Sequence, residues 1–188
     1  YSADKAANTV GHYDAYIKGH PIPDTFKFDL ISPYTTTAKI EIHREDANVL
    51  TKSLNVDIVY IDPPYNSRQY SRFYHVLENL TTWKKPKLYG EALKPEPENM
   101  SEYCRNGALK AFSDLIRDLQ CKYIVVSYNN TYDSKSTSSR NKMTLENIKE
   151  VLETKGELTC FEKEHTFFNA GKTDFTGHKE FIFLVKVN

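Results

Sequence analysis

The stretch Val56-Asp57-Ile58-Val59-Tyr60-Ile61 is apolar at five of six positions and β-branched at four, and it stops at Asp62-Pro63-Pro64-Tyr65. A short apolar run closed by two prolines, which cannot donate to a ladder, predicts a parallel strand buried on both faces. That constrains the fold strongly, because a parallel neighbour is reached only through a crossover of about a dozen residues or more. The carboxyl end of such a strand is also where open α/β sheets bind ligands. A carboxylate, prolyl carbonyls and an aromatic ring are thus gathered at a candidate site.

The following residues supply the crossover. Glu102 to Leu119 sets Leu109, Phe112, Leu115, Ile116 and Leu119 at helical spacing, and Lys122 to Ser127 then holds a second apolar strand, Tyr123-Ile124-Val125-Val126. Met143 to Lys155 predicts an amphipathic helix closed by Gly156. Leu158 to Phe168 and Glu180 to Val187 predict a terminal antiparallel strand pair, joined by the loop Asn169 to Lys179. The expectation is an α/β domain with a mostly parallel sheet and that terminal pair.

Elsewhere, Ala3 to Lys18 has a weak helical pattern stopped by Gly19, Pro21 and Pro23, followed by a loop from Asp24 to Thr37. Ala38 to His43 alternates Ile40 and Ile42 with charged residues, which predicts a strand ending at Asp46. Gln69 to Trp83 turns Tyr70, Phe73, Tyr74, Leu77 and Leu80 to one helical face. Lys84 to Asn99 and Asn129 to Lys142 read as polar loops. Residues 1–37 are expected to form a helical and loop segment, and residues 38–188 the α/β part.

The 25 basic and 25 acidic residues cancel, so contact with nucleic acid must come from local patches. Cys104, Cys121 and Cys160 are odd in number and lack a Cys-x-x-Cys pair, which argues against a disulfide framework or zinc site and for a reducing compartment. The six histidines form no metal set, and no run is apolar enough for a membrane span. The 13 Tyr and 10 Phe leave ample stacking surface.

Asp62-Pro63-Pro64-Tyr65 suits a planar heterocycle with an exocyclic amino group. That nitrogen is a poor nucleophile because its lone pair is delocalised into the ring. Acceptors placed at both amino hydrogens, here the Asp62 carboxylate and the Pro63 carbonyl, let the nitrogen turn tetrahedral and free the pair. The proline rings fix the carbonyl direction before substrate arrives. Tyr65 then lies on the base, a stacking contact worth roughly 1–3 kcal/mol, about the few kcal/mol that base extrusion costs.

The run Asp62-Pro63-Pro64-Tyr65-Asn66-Ser67-Arg68-Gln69-Tyr70 resembles the catalytic motif of the adenine-N6 DNA methyltransferases of restriction–modification systems. Asn8-Thr9-Val10-Gly11 with Tyr13, Ala15 and Lys18, Tyr123-Ile124-Val125-Val126-Ser127-Tyr128-Asn129-Asn130 and Lys179-Glu180-Phe181-Ile182-Phe183-Leu184 resemble further segments in the same order. The resemblance implies an incomplete Rossmann-like class I methyltransferase fold using S-adenosylmethionine, with residues 38–188 as its catalytic part and residues 1–37 as the end of an inserted recognition region. It assigns Asp62, Pro63 and Tyr65 to the target base and Pro64 to the turn. Asp46 and Ala47, with Asp62, would contact the methyl donor, and Asn66, Arg68, Tyr70, Lys172 and Phe175 would contact DNA. Lys84, Lys85 and Lys87 beside Trp83, Lys135 and Arg140, and His178 with Lys179 are further phosphate-contact candidates.

The expected partners are double-stranded DNA, a preceding N-terminal part and a paired restriction endonuclease, with no membrane, in a bacterial cytoplasm. The seven glycines include no Gly-x-Gly, so the family's glycine-rich donor motif is expected upstream of Tyr1 and the chain is read as a fragment. Methylation of RNA or of a glutamine side chain, and a non-catalytic DNA-binding partner subunit, stay open as alternatives.

Overall fold

The computed structural model describes residues 32–90, 93–131, 140–164 and 177–188. The chain divides into two compact units. The larger takes Arg44–Arg68 and Ser101–Asn188. Its described elements are α1 (Ala47–Leu50), β1 (Asn55–Ile61), α4 (Ala108–Asp118), β2 (Gln120–Asn129), α5 (Leu145–Glu153), β3 (Gly156–Glu164) and β4 (Lys179–Val187). The other unit contributes residues 32–43 and 69–100, with α2 (Tyr70–Phe73) and α3 (His75–Thr82).

The four strands form one sheet in the order β1-β2-β4-β3. β1 pairs parallel with β2, and the crossover between them carries α4, as the apolar runs required. β4 pairs antiparallel with both β2 and β3. The terminal antiparallel pair therefore forms as expected, but the mostly parallel sheet does not. β4 inserts, reversed, between β2 and β3, so two of the three pairings in the described sheet are antiparallel.

One face of the sheet carries the core. Phe112 and Ile116 of α4 and Ile148 and Leu152 of α5 pack with Ile124, Val126 and Tyr128 of β2 and Phe183 and Val185 of β4, all buried. Both helices thus form, and Phe112, Leu115, Ile116 and Leu119 turn inward as predicted, whereas Leu109, at the first turn of α4, is exposed. α5 starts where local chemistry dictates. Thr144 accepts from the Asn147 N–H at 3.1 Å, and the Asn147 side chain accepts from the Thr144 N–H at 3.2 Å, a reciprocal cap for two amides the helix leaves unpaired. The helix ends at Glu153, so Gly156 does not close it. Gly156 opens β3 opposite Val187, where the β4 backbone comes too close for any side chain.

The opposite face departs from expectation. β1 lies at the edge of the described sheet, and Ile58 and Tyr60 are 63% and 61% exposed, whereas Val59 and Ile61 lean on the core. Apolarity on both faces predicts burial on both, yet among the described residues a helical layer covers only one. The alternation at Ala38 to His43 likewise makes no strand. Ile40 is 69% and Ile42 91% exposed, because an alternating segment becomes a strand only beside a partner edge.

In the smaller unit the predicted helix from Gln69 to Trp83 divides at Tyr74, and α3 ends on Trp83 in a left-handed conformation. The weak helix at Ala3 to Lys18 lies outside the described residues. No helix among those described is long and apolar enough to cross a membrane.

Candidate active site

Because β1 and β2 are parallel, their carboxyl ends lie side by side, with Ile61 beside Val126 in the register. The next residues on the two strands are Asp62 and Ser127. The Ser127 hydroxyl donates to Asp62 Oδ1 at 3.0 Å, and the Tyr65 hydroxyl donates to the same oxygen at 3.0 Å. Asp62 itself is exposed, Pro63 is buried and Pro64 and Tyr65 are half-buried. The motif thus forms a tight turn with its carboxylate at the surface.

The turn is held from beneath by Tyr128, which is fully buried. Its hydroxyl donates to the Tyr65 carbonyl at 3.2 Å and accepts from the Met143 N–H at 3.3 Å. The Lys142 N–H donates to the same Tyr65 carbonyl at 2.8 Å. The Tyr65 ring meets the Tyr128 ring edge-on, with centroids 4.7 Å apart. Burial, and the negative charge of Asp62, hold the Tyr65 phenol well above its ordinary range, so it stays a donor at any working pH.

Beside this lies a polar cluster on the end of β2 and the start of β4, which the antiparallel pairing brings together. The Asn141 side chain donates to the Asn129 carbonyl at 2.7 Å, and Asn130 spans to Gly177 and to the Lys179 N–H, each at 2.9 Å. His178 is buried between the Thr131 hydroxyl and the Glu180 carboxylate, and Lys179 is ion-paired with Glu162 at 2.6 Å. His178 was a candidate for phosphate contact; its ring instead faces partners inside the fold.

Asp46 sits ahead of α1, with Oδ1 accepting from the Asn48 and Val49 N–H groups at 2.9 and 3.2 Å. Its carboxylate is exposed, as is Ala47. The short helix is anchored by Asn48, whose amide donates to the Ala111 carbonyl at 2.7 Å and whose carbonyl oxygen accepts from the Tyr103 hydroxyl at 2.9 Å. Sequence reasoning did not single out Asn48, Ser127 or Tyr128 as site residues. For Ser127 a signal existed: a hydroxyl residue interrupts an apolar strand at its carboxyl end.

The remaining described site candidates make local contacts. Asn66 accepts from the Arg68 N–H at 3.0 Å in a local turn, and the Arg68 carbonyl accepts from the buried Cys104 thiol at 3.4 Å. Tyr70 opens α2 in the other unit, its ring edge-on to Tyr74 at 5.6 Å. There, too, Lys85 lies over the Trp83 ring at 4.6 Å. Lys135, Lys172 and Phe175 lie outside the described residues. Among the described residues no group of His, Cys, Asp and Glu could hold a metal ion.

The parallel strand pair and its helical crossover make the chain an α/β protein, and a carboxylate with an aromatic turn at the strand end gives it a candidate site. Residues 1–131 match the model of the D12 class N6 adenine-specific DNA methyltransferases, and the chain belongs to that family. It is similar to the type II methyltransferase M.NlaIII of Neisseria lactamica, 31% identical over 186 residues that cover 94% of this chain and 51% of the relative. It is also similar to the type II methyltransferase M.CviAII of Paramecium bursaria Chlorella virus 1, 31% identical over 99% of this chain and 54% of the relative. The modification methylase StsI of Streptococcus sanguinis is 38% identical over 66% of this chain and 20% of its own length. The chain therefore spans about half the length of two of these relatives and a fifth of the third. No solved structure matches it significantly.

Proposed function

We propose that this chain carries the base-gripping part of a site-specific DNA methyltransferase that moves a methyl group from S-adenosylmethionine to N6 of an adenine flipped out of duplex DNA. The observation that carries the reading is the Asp62 carboxylate, exposed at the strand end and turned by two hydroxyl donors on one oxygen. Family membership supports DNA adenine over RNA or glutamine as substrate. Residues 38–188 are assigned to the catalytic part of a class I methyltransferase fold, and 1–37 to the end of a recognition region. The parallel β1–β2 pair with a helical crossover supports that fold.

Asp62 Oδ2 and the Pro63 carbonyl accept the two amino hydrogens, Pro64 shapes the turn, and the Tyr65 ring stacks on the base. When bound, the donor supplies an electrophilic methyl group on a sulfonium sulfur. The fit to that donor is partial. Asp46, with Ala47, presents an exposed carboxylate with its second oxygen available to an adenine amino group, but these 188 residues contain no Gly-x-Gly turn for the methionine part. Asn66, Arg68, Tyr70, Lys172 and Phe175 are assigned to the DNA. The partners on this reading are duplex DNA and a cognate restriction endonuclease, in a bacterial cytoplasm.

The deciding experiment is a methyl-transfer assay on duplex DNA with the product of the complete reading frame, followed by mapping of the modified base. N6-methyladenine at a defined site is the expected product. Label on cytosine, on RNA or on protein, or none at all, overturns the reading.

A further inference from the structure

Resting on the reading of Asp62 as the acceptor for the target amino group, we propose that Ser127 is a positioning residue for its carboxylate and that the Tyr65 hydroxyl shares this task. The carboxylate of an aspartate turns broadly about its last torsion, because that bond joins sp3 and sp2 carbons. A carboxylate oxygen offers two in-plane lone pairs. Ser127 and Tyr65 both donate to Oδ1, at 3.0 Å each, which fills that oxygen and fixes the plane. Oδ2 is left as the acceptor, aimed from an exposed residue.

Two features tie the Ser127 hydroxyl to this contact, although it also lies within hydrogen-bonding reach of the Tyr65 hydroxyl. Ser127 is buried, on the sheet face that also carries Tyr123 and Val125, and a buried hydroxyl without a partner costs free energy. Asp62 is 65 positions away in sequence, so only the parallel register of β1 and β2 delivers the carboxylate to it. The two donors also approach from different elements, the neighbouring strand and the turn itself. Losing either one frees the carboxylate to swing, and losing both leaves its direction to solvent. Tyr65 thus has two duties on this reading, its ring for the base and its hydroxyl for Asp62.

The test compares Ser127→Ala, Ser127→Thr and Tyr65→Phe in the product of the complete reading frame, once the modified base has been mapped. Single-turnover methyl transfer, duplex affinity and fluorescence of 2-aminopurine at the target position are measured for each. 2-Aminopurine lacks the 6-amino group, so its extrusion reports flipping without the Asp62 grip. Ser127→Ala is expected to slow methyl transfer ~10- to 100-fold, with affinity and extrusion within about twofold of the parent. Ser127→Thr, which keeps the hydroxyl, recovers most of the rate, and Tyr65→Phe loses rate without losing extrusion. If alanine prevents folding, Ser127→Cys, similar in size but a weak donor, takes its place with the same expected loss. A parental rate in the hydroxyl-free variant, or a threonine variant as slow as alanine, overturns the assignment of Ser127. A parent that makes no N6-methyladenine overturns the proposed function instead, so the two failures are distinct.

Discussion

The hydroxyl of Tyr128 donates to the backbone carbonyl of Tyr65 across 63 positions of sequence, at 3.2 Å. Tyr128 is fully buried near the end of β2, and the same hydroxyl accepts from the Met143 N–H in the segment leading to α5. One phenol therefore ties the turn after β1 to the start of the helix that covers the core. The geometry of the motif is set by core packing as much as by its own prolines.

Tyr128→Phe keeps the ring and removes this tie. The Met143 amide is then left buried without its partner, whereas the Tyr65 carbonyl keeps the Lys142 N–H. A loss of about 1–3 kcal/mol in stability is expected, read as a lower urea midpoint with an unchanged slope. An unchanged midpoint would mean that water replaces the hydroxyl at no cost.

Alkaline pH should act through the same residue. Burial pushes the Tyr128 phenol up from 10.0 to about 12, against the opposing backbone contacts from Met143 and Lys142. Between those two pH values the unfolded chain has released this proton and the folded chain has kept it, so stability falls as pH rises. The contribution is intact below pH 10.0 and gone above about 12, with a slope up to about 1.4 kcal/mol per pH unit. Urea midpoints followed from neutral to alkaline pH should show the decline, and Tyr128→Phe should make it shallower. Equal slopes in the two proteins would exclude Tyr128 as a source.

Asp62→Ala removes the acceptor on which the proposed chemistry depends while leaving Tyr65 and Ser127 in place. Methyl transfer is expected to fall at least ~10²-fold, with duplex affinity nearly unchanged, because phosphate contacts dominate affinity. Retention of full activity would refute the assignment of the carboxylate.

Gly156→Ala tests a structural demand that is independent of the site. A Cβ there would run into the Lys186 carbonyl oxygen and lie 2.8 Å from its carbon and 2.9 Å from Val187 Cα, all rigid backbone of β4. The end of the β3–β4 pair must separate to admit it. Destabilisation of about 1–3 kcal/mol is expected, a drop of several degrees in melting temperature. Calorimetry that finds the parental melting temperature would show that the strand end yields freely.

Local pattern made several elements legible. Period 3.6 marked most of the buried face of α4, where Phe112 and Ile116 recur on one side, and the existence of the amphipathic α5. β-branched runs identified β1, β2 and β4. The Asp62 motif was legible because its residue types carry chemistry wherever the fold places them. Ile40 and Ile42 misled for the complementary reason, as alternation describes a face without naming the strand beside it.

Local pattern alone marked the four strands of the described sheet, the helices α4 and α5, and the carboxylate that follows the first strand. Long-range packing set β4 reversed between β2 and β3 and left one face of β1 exposed. It alone brought Ser127 to Asp62 and Tyr128 to Tyr65. Range separates the two. Side-chain periodicity is written in neighbours a few residues apart, whereas strand pairing and buried hydrogen bonds join groups more than sixty residues apart, whose meeting depends on the whole chain's packing.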